Sequence, residues 1–366
     1  GQKVKKQLTF LKILGVFFCL YLFLVGIGGL SSGIKGLGGG FAKTVLSTTS
    51  NPFTALFIGI LCTTLFQSSS TTTSLIVTMA STGALTIGGA VPMIMGANIG
   101  TTVTNTLVSI GYIGKGNEFR RAFAASTVHD FFNIMSVMIL FPLELMFGFL
   151  EKLSLGLGTM LFGVLSTDQA FKSPIKTAVK WGSKKIEYIS FDNDIVYIIL
   201  SVLLTFLMLF SIVKLLRSLV LEKVEAFFDK YLFRNAISAM IFGIILTIMV
   251  QSSSITTSTI VPLAGAGVLT LRQIFPFTLG ANIGTTVTAL VASLTLNPIA
   301  MVASFSHLFF NIFGIALIYP IKILREIPIK LAESMADQSV NNKFIPLIYL
   351  AILFIGLPLI IIFMGG

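Results

Sequence analysis

Residues 67–74 read QSSSTTTS and residues 251–258 read QSSSITTS, while residues 96–104 and 280–288 both read GANIGTTVT. Both pairs are offset by 184, and 23 of the 38 positions in 67–104 are identical in 251–288 without a gap. Self-similarity of this kind marks a duplicated structural unit. The repeat extends both ways. Asn51 is matched by Asn235, and His129–Asn133 (HDFFN) by His307–Asn311 (HLFFN), the latter pair 178 apart, so the second copy is six loop residues shorter.

Composition says where such a unit resides. Of 366 residues 55% are apolar, 11% are charged and 33 are Phe, and the mean hydropathy is +0.95. A soluble domain carries about 25% charged residues. Disordered chains, coiled coils and ordinary soluble enzymes are excluded, and an integral membrane protein is implied. The formal charge of +11 does not indicate a nucleic-acid partner, because the Lys and Arg lie between apolar runs, where topology uses them. Cys19 and Cys62 sit in apolar runs and offer neither a disulfide framework nor a metal cluster. No Asn-x-Ser/Thr sequon occurs. The run 8–30 follows Lys3, Lys5 and Lys6 but is too long for a signal-peptide core and has no A-x-A site. Its counterpart in the second copy makes it a true span.

Each copy parses into a plain span (8–30 or 194–217), a Ser/Thr-centred pair (51–80 or 235–264), an interrupted helix (84–110 or 268–296) and a closing span (120–148 or 299–321), with 344–364 left over. The apolar arm 52–66 would reach about 22 Å as a helix, short of a hydrocarbon core of about 30 Å. The Ser/Thr cluster after it therefore belongs at mid-depth, where irregular backbone survives only against protein or water. The expected fold is an all-α membrane protein of two inverted-topology repeats, each with a re-entrant helical hairpin and a broken transmembrane helix, plus one extra C-terminal span. Its divisions are 1–150 (first repeat), 151–193 (extramembrane linker with an amphipathic helix), 194–325 (second repeat) and 326–366 (interfacial segment and last helix). With the N-terminus inside, 17 Lys/Arg fall inside and 8 outside, as the positive-inside rule prefers. The exception is 150–192, placed outside with six Lys. Lys172, Lys176, Lys180 and Lys184 recur there every four residues, reading as an in-plane amphipathic helix against lipid headgroups or as a funnel for an anion. The Gly-rich stretch 26–40 lacks the Gly that a phosphate loop needs before Lys43 and reads as a flexible loop.

Paired repeats with broken helices are the layout of secondary transporters, with substrate at the midplane. Ser68, Ser69, Ser70 and Asn98 in one copy, and Ser252, Ser253, Ser254 and Asn282 in the other, would face each other there. Half-helix N-termini attract anions, while hydroxyls, carboxamides and free carbonyls suit a hard cation. The only charge in 235–296 is Arg272. A buried oxyanion without countercharge is costly, so co-bound sodium gives a physical reason for coupling. Asp130 is an acid inside a span, either a cation or proton site or a polar clamp to a neighbouring helix. Leu308 replaces it in the second copy. His129 and His307 read as structural, and Glu144 as an interfacial residue near a span end. A Ser–His–Asp hydrolase is disfavoured because adjacent residues on a helix point about 100° apart. A channel or sensor remains a further alternative.

At the paired QSSS and GANIGTTVT segments, and at 118–144 (EFRRAFAASTVHDFFNIMSVMILFPLE), the chain resembles the type II sodium-dependent phosphate cotransporter family. The resemblance implies sodium-coupled uptake of inorganic phosphate by alternating access, with phosphate at the two QSSS tips. It also implies a sodium site of Gln251, Ser252, Thr285, Thr288 and Thr101, with Gln67 and Thr104 mirrored. No organic cofactor is implied, only co-transported sodium; the partners are phosphate, sodium and membrane lipid, without nucleic acid, and a homo-oligomer is allowed. The short linker without a sequon points to a bacterial member in the inner (plasma) membrane, N-terminus cytoplasmic. Symport of another oxyanion, coupled to sodium or protons, is the alternative.

Overall fold

The computed structural model describes residues 1–221, 223 and 232–365, and these form helices and turns with no strand among them. Six helices are long and apolar enough to cross a membrane: Gln2–Leu37, Asn117–Phe147, Asp194–Leu221, Leu271–Ser293, Pro298–Ile318 and Phe344–Gly365. Gly39–Thr48 and Pro52–Phe66, bent by 100°, would make a seventh.

Side-chain caps set the repeated boundaries. The Asn51 carboxamide accepts from the backbone N–H of Phe53 and Thr54, and Asn235 accepts from Ser238, which opens the arms Pro52–Phe66 and Ala236–Val250. Both arms are 15 residues long, as the sequence predicts. Each closes on a left-handed glutamine, Gln67 or Gln251, whose N–H bonds to the carbonyl of Thr63 or Thr247. Ser68 and Ser252 then cap the return helices, which run Ser69–Thr82 in the first copy and break into Ser253–Ser258 and Ile260–Gly265 in the second. Thr86 and Thr270 cap the interrupted helices. These break at Thr101–Thr102, between Ile87–Gly100 and Val103–Ile110, and at Thr285, between Leu271–Gly284 and Thr286–Ser293.

Arm and interrupted helix touch backbone to backbone. A Cβ on Gly96 would fall within 3.0 Å of the Leu56 carbonyl, and one on Gly280 equally close to the Met240 carbonyl. Gly59 and Gly243 meet the carbonyls of Met93 and Phe277 in the same way. Glycine at all four positions permits the approach, which is how helices pack closely in an apolar medium. Phe275 and Phe277 then bury fully against Phe132 and Phe233.

Two expectations change. The stretch 26–40 is not a flexible loop: the first helix runs to Leu37, only Gly38 (φ 77°) breaks it, and Gly39–Thr48 is again helical. Ser31, Gly33 and Ile34 are buried in that extra length, so packing overrides the low helix propensity of glycine. Glu144 is not an interfacial residue snorkelling to water. It is 8% exposed, and its carboxylate accepts from the N–H of Leu150 (2.7 Å) and Glu151 (3.1 Å). It thus caps the helix Phe149–Phe162. The linker helix forms as Pro174–Ile189, with Val179, Gly182 and Ser183 buried and Ile175 and Trp181 exposed.

The glycine contact is testable. Gly96→Ala and Gly280→Ala should each destabilise by about 1–3 kcal/mol or more through overpacking. Gly156→Ala, which meets nothing within 4 Å, should be neutral or slightly stabilising. Thermal unfolding in detergent would check this, and equal midpoints for all three would exclude the backbone contact.

Candidate functional site

The tips, at Gln67–Ser68 and Gln251–Ser252, are points where one helix ends and another begins. The arm leaves carbonyls without helical partners and the return helix leaves N–H groups free. Gln67 (φ 56°) and Gln251 (φ 61°) occupy the left-handed region, which costs a non-glycine residue about 1–2 kcal/mol. Their side chains explain the choice. Gln67 Nε2 donates to the Thr64 carbonyl (2.6 Å), and Gln67 Oε1 accepts from Thr104 Oγ1 (2.9 Å). Gln251 Nε2 donates to the Ile248 carbonyl (2.6 Å), and Gln251 Oε1 accepts from Thr288 Oγ1 (2.8 Å). The glutamine therefore braces its tip against the interrupted helix of its own copy, and a glycine could not.

The serines divide their work. Ser68 Oγ and Ser252 Oγ accept from the N–H of Thr71 (3.1 Å) and Ile255 (3.2 Å) as caps. Ser69 and Ser253 are 3% and 2% exposed. Ser70 and Ser254 reach across copies: Ser70 Oγ lies 3.3 Å from Thr285 Oγ1, and Ser254 Oγ donates to the Thr101 carbonyl (3.1 Å). The reciprocity is notable because Ser70 and Ser254, like Thr101 and Thr285, are repeat equivalents. A further cross-copy bond has no mirror. Asn105 Nδ2 donates to Thr257 Oγ1 (2.5 Å) and Asn105 Oδ1 accepts from Ser258 (2.8 Å), whereas its equivalent is Ala289.

Asn98 and Asn282 enter a separate buried network in which partners are again exchanged. His129 Nε2 lies 2.6 Å from Asn282 Oδ1, and His307 Nε2 lies 3.4 Å from Asn98 Oδ1. Asn98 Nδ2 donates to Asn311 Oδ1 (3.0 Å) and Asn133 Oδ1 (3.4 Å), while Asn282 Nδ2 donates to Asn133 Oδ1 (2.8 Å). The histidines thus hold the GANIG asparagines of the opposite copy. Among the described residues neither histidine bonds to a serine.

Asp130 stands apart from both tips. Fully buried, its Oδ2 accepts from Tyr349 OH (2.6 Å) and Thr106 Oγ1 (3.3 Å), and its Oδ1 has no partner among the described residues. Tyr349 belongs to the helix Phe344–Ala351 at the start of the unpaired last span. Sequence reasoning passed over Tyr349 and Asn105, and it marked Asn133 and Asn311 by their repeat without giving them partners. The available signal was the Asp130/Leu308 mismatch, since an acid without a repeat equivalent calls for a partner outside the repeat.

The tips are electrically neutral, and the only charge in the interrupted helices is Arg272. Arg272 is turned to Glu326 (2.7 Å) and Glu333 (3.5 Å). Among the described residues no group of three His, Cys, Asp or Glu could hold a metal, so a cation here would rest on neutral oxygens. A cavity of about 620 Å³ opens beside the first brace, lined by Thr104, Ser258, Thr259 and Arg217 among others.

Comparison with known proteins matches these elements as a set. The family model described as Na+/Pi-cotransporter matches residues 22–167 and 205–361. Sodium-dependent phosphate transport protein 2A of Ovis aries is 33% identical over 98% of this chain and 68% of its own length. The 2A protein of Rattus norvegicus and the 2B protein of Homo sapiens are each 33% identical over 93% of this chain, and over 65% and 63% of their own lengths. The chain spans about two thirds of the length of these relatives. No solved structure matches. On both the family model and the relatives, the chain belongs to the Na+/Pi-cotransporter family, whose members are transporters rather than enzymes.

Proposed function

We propose that this chain moves inorganic phosphate together with sodium across a membrane by alternating access. The observation that carries the reading is the exchange of partners between repeat-related residues: Ser70 with Thr285 against Ser254 with Thr101, and His129 with Asn282 against His307 with Asn98. Reciprocal contacts of this kind are what two copies make about a two-fold axis. An axis in the membrane plane makes the repeats inverted and the hairpins re-entrant, with the tips at the midplane. The charge bias supports a cytoplasmic N-terminus, and in this reading the membrane is an inner (plasma) membrane.

In this reading Ser68, Ser69, Ser70, Asn98 and their equivalents Ser252, Ser253, Ser254 and Asn282 form the phosphate site, with Asn98 and Asn282 held by the histidine network. Gln251, Ser252, Thr285, Thr288 and Thr101 supply oxygens to sodium, as do Gln67 and Thr104 on the mirrored side. The buried Oδ1 of Asp130 is a further cation or proton ligand. Sodium supplies the charge that the neutral tips lack, so the anion enters only with it. Number matters. With a tenfold sodium gradient and 100 mV, each sodium contributes about 1.4 plus about 2.3 kcal/mol, and a divalent phosphate opposes about 4.6. Two sodium ions leave roughly 2.8 kcal/mol and three roughly 6.5, a difference in accumulation of more than a hundredfold.

Labelled phosphate uptake into proteoliposomes tests the reading, with an inward sodium gradient set against an equal potassium gradient. Concentrative uptake with sodium alone is expected, and equal uptake with both would exclude sodium coupling. Ser69→Ala and Ser253→Ala should each lower uptake at subsaturating phosphate about tenfold or more, the scale of one lost bond to a charged group. Wild-type rates in both would remove the tips from the site. Asp130→Asn should move the sodium dependence more than the phosphate affinity, and Tyr349→Phe should move it less in the same sense. An unaltered sodium curve in both would make the Asp130–Tyr349 contact a clamp and nothing more.

A further inference from the structure

A second cavity lies away from the hairpin tips. It measures about 280 Å³ and sits between the end of the first helix, the linker helix Pro174–Ile189 and the turn before Pro298. Lys35, Lys176 and Lys180 line it, together with the hydroxyl residues Ser31, Ser81 and Thr295. None of its lining residues is acidic, and among the described residues none of the three lysines has an ion-pair partner. Ser31, Ser81 and Thr295 are 8%, 1% and 5% exposed, so the floor is buried and polar while the lysines form the rim.

Three ammonium groups converging without a counterion repel one another. Burial, and then the charges of Lys35 and Lys180, hold the Lys176 ammonium below its ordinary range. Lys176 Nζ donates to the Leu296 carbonyl at 3.0 Å, which fixes the side chain over the cavity and leaves two of its three donors free. The linker helix itself is firmly seated: Tyr21 OH donates to the Ala178 carbonyl (2.7 Å) and Tyr197 OH to the Ser183 carbonyl (3.0 Å). The lysines are therefore presented by anchored backbone rather than by a loose loop. This helix falls between the two stretches that the family model matches, so the cavity owes one wall to a segment outside them.

We propose that this lysine-rimmed cavity is a binding site for a phosphate group, separate from the hairpin tips. A tetrahedral oxyanion offers several acceptor oxygens and up to two negative charges, which matches three ammonium groups and a hydroxyl floor. The group can come from free inorganic phosphate or from the headgroup of an anionic lipid. The second source is physically close, because Ile175, Trp181 and Ile189 on the same helix are 62%, 63% and 62% exposed, the pattern of a helix lying in a membrane interface.

The chain's single tryptophan, Trp181, adjoins Lys180 and serves as the reporter. The full chain is placed in zwitterionic nanodiscs in sodium-free potassium buffer and titrated with inorganic phosphate, with potassium chloride at matched ionic strength as reference. A parallel set of discs contains phosphatidate. A saturable fluorescence change with phosphate but not chloride is expected, weakened about tenfold or more in Lys35→Gln/Lys180→Gln and kept in Lys35→Arg/Lys180→Arg. It should persist in Ser69→Ala/Ser253→Ala, which separates this site from the tips and its fate from that of the transport reading. A spectral shift in phosphatidate discs that abolishes the phosphate response, with the same lysine dependence, identifies lipid as the source. A response to neither probe, one equalled by chloride, or one that survives unchanged in the glutamine variant overturns the proposal.

Discussion

The structure depends on backbone-to-backbone contact between each hairpin arm and the interrupted helix of its own copy. Gly59 and Gly96 in the first copy, and Gly243 and Gly280 in the second, let the helices approach until a methyl group would not fit between them. That spacing decides what the glutamines can do. Gln67 reaches Thr104, and Gln251 reaches Thr288, only because the two helices are a backbone's width apart. In a medium where lipid competes on equal terms for apolar surface, association relies on fit and on hydrogen bonds rather than on expulsion of water. Glycine provides the first and the Gln–Thr bond the second.

Much of this was legible in the residues. Asn51 recurs as Asn235 at fixed offset from a repeated polar cluster, which marks the same boundary in both copies, and the structure shows both to be helix caps. The 15-residue arms follow from the same count. Local rules suffice there because the chemistry of a cap lies within four residues. The Gly-rich stretch 26–40 shows where they fail. Propensity favours a loop, yet the first helix continues to Leu37 because Gly33 and Gly36 pack against Ile198 and Asp194 of the neighbouring span Asp194–Leu216, as Gly26 and Gly29 do against Thr205 and Ser201. Glu144 failed for a related reason: the N-terminus it caps belongs to the next helix, and the turn at Gly148 that brings it there leaves no periodic signal.

The site divides in the same manner. Duplication singled out the serine, glutamine and threonine positions, and the structure brings Ser70 to Thr285, Ser254 to Thr101, Gln67 to Thr104 and Gln251 to Thr288. The crossing of partners was not legible, since nothing in one dimension says that His129 would hold Asn282 rather than Asn98. Tyr349 was invisible for want of a counterpart, lying in the one span outside the repeat. Residues that break the symmetry, Asp130 against Leu308 and Asn105 against Ala289, carry information that identical positions cannot. They mark where the two copies make different contacts.

The left-handed glutamines have a consequence for engineering. Glycine would sit at positions 67 and 251 without backbone penalty, so a search scored on backbone strain alone would favour it there. Such a search would relax the turn and delete the bond to Thr104 or Thr288 in the same step. The relief of about 1–2 kcal/mol of backbone strain would be set against two lost side-chain hydrogen bonds at each tip, which would no longer be tied to its broken helix. Stability and activity are commonly opposed in this way where local strain is retained at a working site. These two backbone angles are therefore the positions at which a consensus-guided or heat-selected variant should be inspected first for a lost brace.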